Sequence, residues 1–257
     1  MITFSKKADE TRGAGPTECW LLHGAVGMAA DWRDFAKRLA EKKLASRAVD
    51  LWRFLECQPL PIGNFGTAFN ADAGGETFRG NGRVLIGYSM GGRLALHALL
   101  EKNHPWQAAV IISAHPGWES ATDRESRRET DAAWAAKAFS GDWQSFLTDW
   151  SAQPVLGGSF PRDPGTLNAQ LLRRREIARS FIDWSLGAQE PLWDRLPGIT
   201  VPVLWIAGEN DAKFRALAER AAALTPHGKC SVAPAAAHRV PWEAEEWLAE
   251  EIAGFSR

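Results

Sequence analysis

The amino-acid sequence predicts an α/β architecture: a mostly parallel central sheet with helices on both faces and a helical cap inserted between two of its strands. Three observations carry that expectation. Short apolar runs alternate with segments of helical periodicity, the pattern of strands joined by crossover helices. One serine sits between glycines where such a run gives way to such a segment. The alternation then lapses between about Trp118 and Pro197 before it resumes at Val201-Pro202-Val203-Leu204-Trp205.

In chain order, candidate strands run from Cys19 to Leu22, Ala45 to Leu51, Val84 to Tyr88, Ala108 to Ser113, Val203 to Ala207 and Lys229 to Ala233. Helical periodicity covers Asp31 to Lys42, Gly91 to Lys102, Phe214 to Leu224 and Pro241 to Phe255. Parallel neighbours need crossover connections, and these helices supply them. The stretch from Trp118 to Pro197 is rich in Arg, Glu, Ala and Trp and has no strand-like run. Its helical patterns are separated by Ser140-Gly141-Asp142, Gly157-Gly158 and Pro161-Arg162-Asp163-Pro164-Gly165. It is too long for one crossover, so residues 118–197 are expected to form a cap on a core made of 1–117 and 198–257; the other reading assigns these helices to the main domain. The Gly-rich region from Gly63 to Gly82, with its Asn81-Gly82 pair, predicts a surface loop.

Composition narrows the classes. A chain of 257 residues can bury a sizeable core, and a net charge of −1 argues against nucleic acid as a partner. Cys19, Cys57 and Cys230 form neither a metal-like spacing nor a disulfide framework, which predicts a reducing, cytoplasmic setting. The start, Met1 to Lys7, is polar, and no apolar run approaches the roughly 18 residues of a membrane span, so a soluble protein without a membrane partner is expected. Thirteen tryptophans stand against one tyrosine, and most are read as core anchors. Oligomeric state is left open.

The serine is Ser89, in Gly87-Tyr88-Ser89-Met90-Gly91-Gly92, after the apolar Val84-Leu85-Ile86 and before the amphipathic Arg93 to Leu100. Strand, sharp turn and helix form the context of a nucleophile elbow. Small neighbours let the backbone turn tightly, and the helix N-terminus favours developing negative charge. An ordinary glycine-rich strand–helix turn is the other reading. Serine needs an imidazole to accept its proton, and the imidazole needs a carboxylate to orient it. Asp211, in Gly208-Glu209-Asn210-Asp211, and His238, in Ala235-Ala236-Ala237-His238, follow in that order behind predicted strands. Both fall at the sheet edge where such folds gather active sites. Asp211 has a second reading as a helix cap, with Glu209 as a rival carboxylate, and His238 has one as a solvated loop histidine. Leu21-Leu22-His23-Gly24-Ala25 closes the first strand and nominates the Ala25 amide, with that of Met90, as an oxyanion hole. His23 is expected to fix the loop through hydrogen bonds.

These residues resemble the α/β-hydrolase superfamily over essentially the whole chain, which implies an α/β-hydrolase fold. Within it, Ser113-Ala114-His115-Pro116-Gly117-Trp118, the run through Arg124, Arg127 and Arg128, and Asp149-Trp150-Ser151-Ala152-Gln153-Pro154-Val155 are similar to the 2-succinyl-6-hydroxy-2,4-cyclohexadiene-1-carboxylate synthases of menaquinone biosynthesis. So are Gly187-Ala188-Gln189-Glu190-Pro191-Leu192-Trp193 and Gly208 to Leu217, the latter matching a G-E-x-D-x-K-F motif. The resemblance implies a cofactor-free and metal-free lyase. Its Ser-His-Asp triad deprotonates a cyclohexene carboxylate bearing succinyl and enolpyruvyl groups, and pyruvate leaves. Ser89 would be the proximal base, relayed by His238 and oriented by Asp211, with Ala25 and Met90 amides holding charge on the succinyl carbonyl. Such a small-molecule polycarboxylate suits arginine ligands. By position these are Arg93, Arg127 and one among Arg173, Arg174 and Arg175, of which Arg173 is taken, and Trp150 matches a pocket tryptophan. Bland readings stand beside these: an Arg127–Asp123 ion pair, a structural Arg93, a solvated arginine face and a core Trp150.

Two departures from the family pattern matter. Asp50-Leu51-Trp52-Arg53-Phe54-Leu55-Glu56-Cys57 replaces the usual Asp-x-Pro-Gly-His-Gly loop, and Ala25 and Ala237 stand where an aromatic residue and a glycine are common. The competing functions are a carboxylic-ester hydrolase working through an acyl-enzyme and a catalytically silent binding module. The complete triad disfavours the module, and the arginines disfavour the simple esterase.

Overall fold

Strand residues of this chain alternate so regularly that one sheet serves two cores. The computed structural model describes residues 16–76, 80–157 and 162–256; the sequence readings at Met1 to Lys7, Gly158 and Pro161 lie outside the described residues. Six strands pair in the order β2-β1-β3-β4-β5-β6, every pairing parallel. They are β1 (Glu18–Leu22), β2 (Ala45–Val49), β3 (Arg83–Tyr88), β4 (Ala108–Ile112), β5 (Val203–Gly208) and β6 (Gly228–Ala233). Successive side chains on a strand face opposite sides. Accordingly Trp20, Leu22, Leu85, Ile111 and Trp205 join one core, while Cys19, Leu21, Ile86, Ile112 and Ile206 join the other.

Helices cover both faces. The first core is closed by α2 (Ile62–Gly75), α3 (Met90–Leu99) and α8 (Ala212–Leu224). The second is closed by α1 (Arg33–Glu41) and α10 (Glu245–Phe255), the latter preceded by the short α9 (Val240–Glu243). Between β4 and β5 lie α4 (Ala121–Ser140), α5 (Trp143–Ser151), α6 (Pro164–Leu172) and α7 (Arg174–Asp183), with no strand among the described residues. Trp20, Trp32, Trp52, Trp184 and Trp205 are all fully buried, which accounts for much of the tryptophan content. No helix among the described residues is long and apolar enough to cross a membrane.

The structure corrects several boundaries. The Gly63 to Gly82 region is not a loop over most of its length, because its first part is α2. Ile62, Phe65, Phe69 and Ala73 recur at helical spacing and are buried against the sheet, and Asn70 donates to the Ala98 carbonyl (2.8 Å) while accepting from the Trp106 indole (2.7 Å). Gly66 serves contact rather than turning: a Cβ on it would lie 2.4 Å from the His97 carbonyl oxygen on α3. The strand expected to reach Leu51 stops at Val49, where Asp50 accepts from the Trp52 amide (3.1 Å) and starts a 3-10 turn over Leu51–Leu55. The helix expected from Pro241 onward is two helices, broken at Ala244.

Gly66→Ala should therefore wedge α2 away from α3 and destabilise the fold by about 1–3 kcal/mol, the usual cost of overpacking. Urea unfolding would show a lower midpoint at an unchanged slope.

Candidate active site

Four loops at the carboxyl edge of the sheet converge. β3 delivers Ser89 through a turn in which the serine itself adopts φ +52°, a left-handed conformation that L-residues avoid. Two constraints hold it there. The Ser89 amide donates to the Ile112 carbonyl of β4 (2.8 Å), and Gly91 packs so tightly on β1 that a Cβ would sit 2.3 Å from the Leu22 carbonyl oxygen. Strain of this kind persists only where the surroundings over-determine it, and here it lifts the hydroxyl clear of the sheet.

β5 delivers Asp211, which heads α8. Its Oδ1 accepts from the Phe214 amide (3.2 Å) and its Oδ2 lies 2.9 Å from His238 Nδ1, so the capping and the orienting readings both hold. A carboxylate only accepts, so Nδ1 carries the proton and Nε2 is left to accept from Ser89 Oγ, 3.2 Å away. His238 is buried, with the Phe214 ring edge-on at 4.4 Å between centroids. Glu209, the rival carboxylate, instead accepts from the Ala235 amide (2.9 Å) and ties the β5 and β6 loops together. Serine, histidine and aspartate thus form one hydrogen-bonded chain.

β6 leads into the loop of His238, and β1 delivers the fourth. Gly24 to Gly27 form a tight turn closed by a 3.0 Å bond from the Gly27 amide to the Gly24 carbonyl. His23 is buried with its pKa lowered by desolvation. Its Nδ1–H donates to the Gly24 carbonyl (2.9 Å) and its Nε2 accepts from the Leu51 amide (3.4 Å). Both ring nitrogens are engaged in holding the loop. The Trp52 segment takes part as well: the buried Trp52 indole donates to the Gly27 carbonyl (2.9 Å), lies tilted against the His23 ring and stacks with Trp184.

Ser89, Met90 and His238 open on a cavity of about 130 Å³ that Arg93, His115 and Arg127 also line. It shares Ala25, Trp150 and Leu156 with a larger cavity of about 510 Å³. Arg93 is buried among neutral partners, the Trp184 carbonyl (2.7 Å) and the Gln189 side-chain oxygen (3.2 Å). Burial first, and then Arg127, pull its pKa down to about 9. Such a cation favours an incoming anion. Arg127 pairs with Asp131 (2.8 Å) rather than with Asp123, and Asp131, itself buried, also accepts from the Ser185 hydroxyl (2.7 Å). Trp150 reaches the cavities while packing edge-on to Trp134.

Arg173 goes elsewhere. It ion-pairs with Asp50 (2.7 Å) and with Glu56, and it lines neither cavity; carboxylates of the Trp52 segment take the place of a ligand. Arg174 donates to the Ala138 and Gly141 carbonyls at the end of α4. His115 belongs to the Ser113 to Trp118 motif and lines the cavity beside Ser89. Its Nδ1 accepts from the Gly117 amide (3.0 Å), so the neutral ring carries its proton on Nε2.

A family model described as the alpha/beta hydrolase family matches residues 21–251. A 2-succinyl-6-hydroxy-2,4-cyclohexadiene-1-carboxylate synthase from Pectobacterium atrosepticum is 30% identical over 251 residues, covering 88% of this chain and 94% of that protein. The synthase of the same name from Citrobacter koseri is 28% identical over 218 residues, 81% of this chain and 84% of the other. Among solved structures, MenH from S. aureus superposes with a TM-score of 0.81 at 23% identity, over 95% of this chain and 96% of that one. A thermophilic esterase from Thermogutta terrifontis gives 0.69 at 19%, over 96% and 91%. Likeness at those identities shows the α/β-hydrolase fold.

Burial, reinforced by Lys213, Arg93 and Arg127, pulls the His115 imidazole down to about 3 from an ordinary 6.5. A folded value below the unfolded one means that the unfolded chain takes up the proton first as pH falls. The contribution is whole above pH 6.5 and is lost progressively between 6.5 and 3. His115→Gln should remove about one proton's worth of that slope, read from urea midpoints measured at steps across the window.

Proposed function

The chain belongs to the alpha/beta hydrolase family and, within it, to the 2-succinyl-6-hydroxy-2,4-cyclohexadiene-1-carboxylate synthases, and from that premise we propose that it eliminates pyruvate from 2-succinyl-5-enolpyruvyl-6-hydroxy-3-cyclohexene-1-carboxylate in menaquinone biosynthesis. It is a carbon–oxygen lyase on a hydrolase fold. The observation that carries the proposed reaction is the Ser89–His238–Asp211 chain opening into a cavity walled by Arg93 and Arg127. The hydroxyl takes the ring proton beside the succinyl carbonyl while its own passes to His238 Nε2, and Asp211 stabilises the imidazolium. Charge moves onto the succinyl oxygen, where the Ala25 and Met90 amides stabilise it. The enolate then reforms its carbonyl by expelling enolpyruvate across the C–O bond, and protonation of that leaving group gives pyruvate.

Arg93 and Arg127 would bind substrate carboxylates, and Trp150 would pack on the ring. We assign residues 118–197 to a cap over the site, because α4 contributes Arg127 and α5 contributes Trp150 to the cavity walls. A polycarboxylate explains two arginines beside one hydroxyl. A simple ester does not.

Ser89→Ala should lower kcat/KM for pyruvate release by about 10³ or more, as loss of a triad member generally does. Arg127→Ala should chiefly raise KM, by about tenfold, since it contacts the substrate before and during the reaction alike. Both are read by following pyruvate from the enolpyruvyl substrate beside nitrophenolate from p-nitrophenyl acetate. Fast nitrophenolate release without pyruvate would overturn the lyase reading in favour of the esterase.

A further inference from the structure

We propose that Arg162 and Gln170, on the cap, are positioning residues that aim the oxyanion donor at Ala25 through Val26 and Asp31. The inference rests on the reading of Ala25 given above. Val26, the residue after Ala25, has φ +56°. A β-branched side chain resists that left-handed conformation, so the turn keeps its shape only if outside contacts insist on it.

The core supplies some of those contacts, at the Gly24 and Gly27 carbonyls. The cap supplies others. Gln170, in α6, donates from Nε2 to the Val26 carbonyl, and Arg162 Nη2 reaches the same oxygen at 3.4 Å. The Arg162 guanidinium also forks onto Asp31, Nε to Oδ1 and Nη2 to Oδ2, both at 2.8 Å. Asp31 Oδ2 accepts in addition from the Met28 amide (2.9 Å), and its backbone carbonyl accepts from the Trp242 indole (3.2 Å). One cap cation thus grips a carboxylate that itself fixes the chain just beyond the turn.

Burial makes the grip stiff. Gln170 is fully buried, and the Asp31 side chain is 3% exposed. A bidentate, charge-assisted pair in such surroundings resists both rotation and solvent competition. The Val26 torsions join the peptide unit that begins at the Ala25 carbonyl to the unit that ends at the Gly27 amide. Letting the Val26 carbonyl swing would therefore let Val26 relax toward ordinary backbone and would turn the preceding units with it. Ala25 lines the cavity holding Ser89, so such relaxation would misaim its N–H at the developing oxyanion. On this view the cap contributes to the chemical step from a residue that touches no reacting atom.

The test compares wild type with Gln170→Met, Arg162→Lys and Arg162→Gln, first checking that each variant folds by its thermal unfolding midpoint. Pyruvate release gives kcat and KM. Inhibition by phenylboronic acid gives a second readout of the oxyanion position. Its trigonal boron accepts the Ser89 oxygen, an O–B bond forms, the hydroxyl proton passes to His238, and a tetrahedral boronate anion results. A positioning role predicts kcat about tenfold lower in Arg162→Gln and several-fold lower in Gln170→Met, because the donor is misaimed rather than removed. KM should stay within about twofold, the boronate Ki should rise in proportion to the fall in kcat, and Arg162→Lys should lie between. A folded Gln170→Met or Arg162→Gln protein with unchanged kcat and unchanged boronate affinity would sink the proposal, as would a KM rise that accounts for the whole loss. If wild type releases no pyruvate, the lyase reading fails on its own, and the ratio of boronate dissociation constants, measured by calorimetry, still decides for or against the positioning role.

Discussion

The carboxylate of Asp211 holds the site together by doing two things with two oxygens. One caps α8 and the other orients His238. Capping fixes the carboxylate against the end of β5, so the direction of the second oxygen is set by the sheet rather than by a free rotamer. The imidazole tautomer follows, and with it the acceptor facing Ser89. A hydroxyl on a strained turn, a ring on one loop and a carboxylate on another share a geometry because each is pinned to a neighbouring strand. The position of the Ser89 hydroxyl therefore depends on packing and hydrogen bonding some distance below it.

Around that chain the charges are arranged asymmetrically. Arg93 is buried against a main-chain carbonyl and a side-chain amide oxygen, whereas Arg127 leans on a buried aspartate and Arg162 on another. The first has electrostatic capacity to spare for a ligand anion, and the other two are held in place by carboxylates. Near them, His115 and His97 stay neutral because burial and adjacent cations oppose a further positive charge.

Much of this was legible in the residues. Ser89, Asp211 and His238 could be placed because strand–turn–helix punctuation positions them, and backbone periodicity is what a sequence records best. What sequence could not convey was direction. Arg173, Arg174 and Arg175 are indistinguishable as letters, yet Arg173 turns to Asp50 and Glu56 and Arg174 to the end of α4. The Gly63 to Gly82 region has the composition of a loop because glycine favours turns, whereas Gly66 marks a helix crossing close to α3. Gln170 and Arg162 carried no motif at all. Their partner is a main-chain carbonyl and a distant aspartate, and pairings across more than 130 residues leave no local pattern.

The Trp52 segment departs from the usual composition of its loop, and the shape it takes bears on how the turn after β1 is held. Trp52 and Leu55 are wedged into the interior, the indole is moored to Gly27, and Arg173 ties Asp50 and Glu56 to the helices opposite. The segment is thus anchored twice over, to the turn after β1 through the indole and to the start of α7 through Arg173, so the turn that carries Ala25 and the helical insertion share one rigid support.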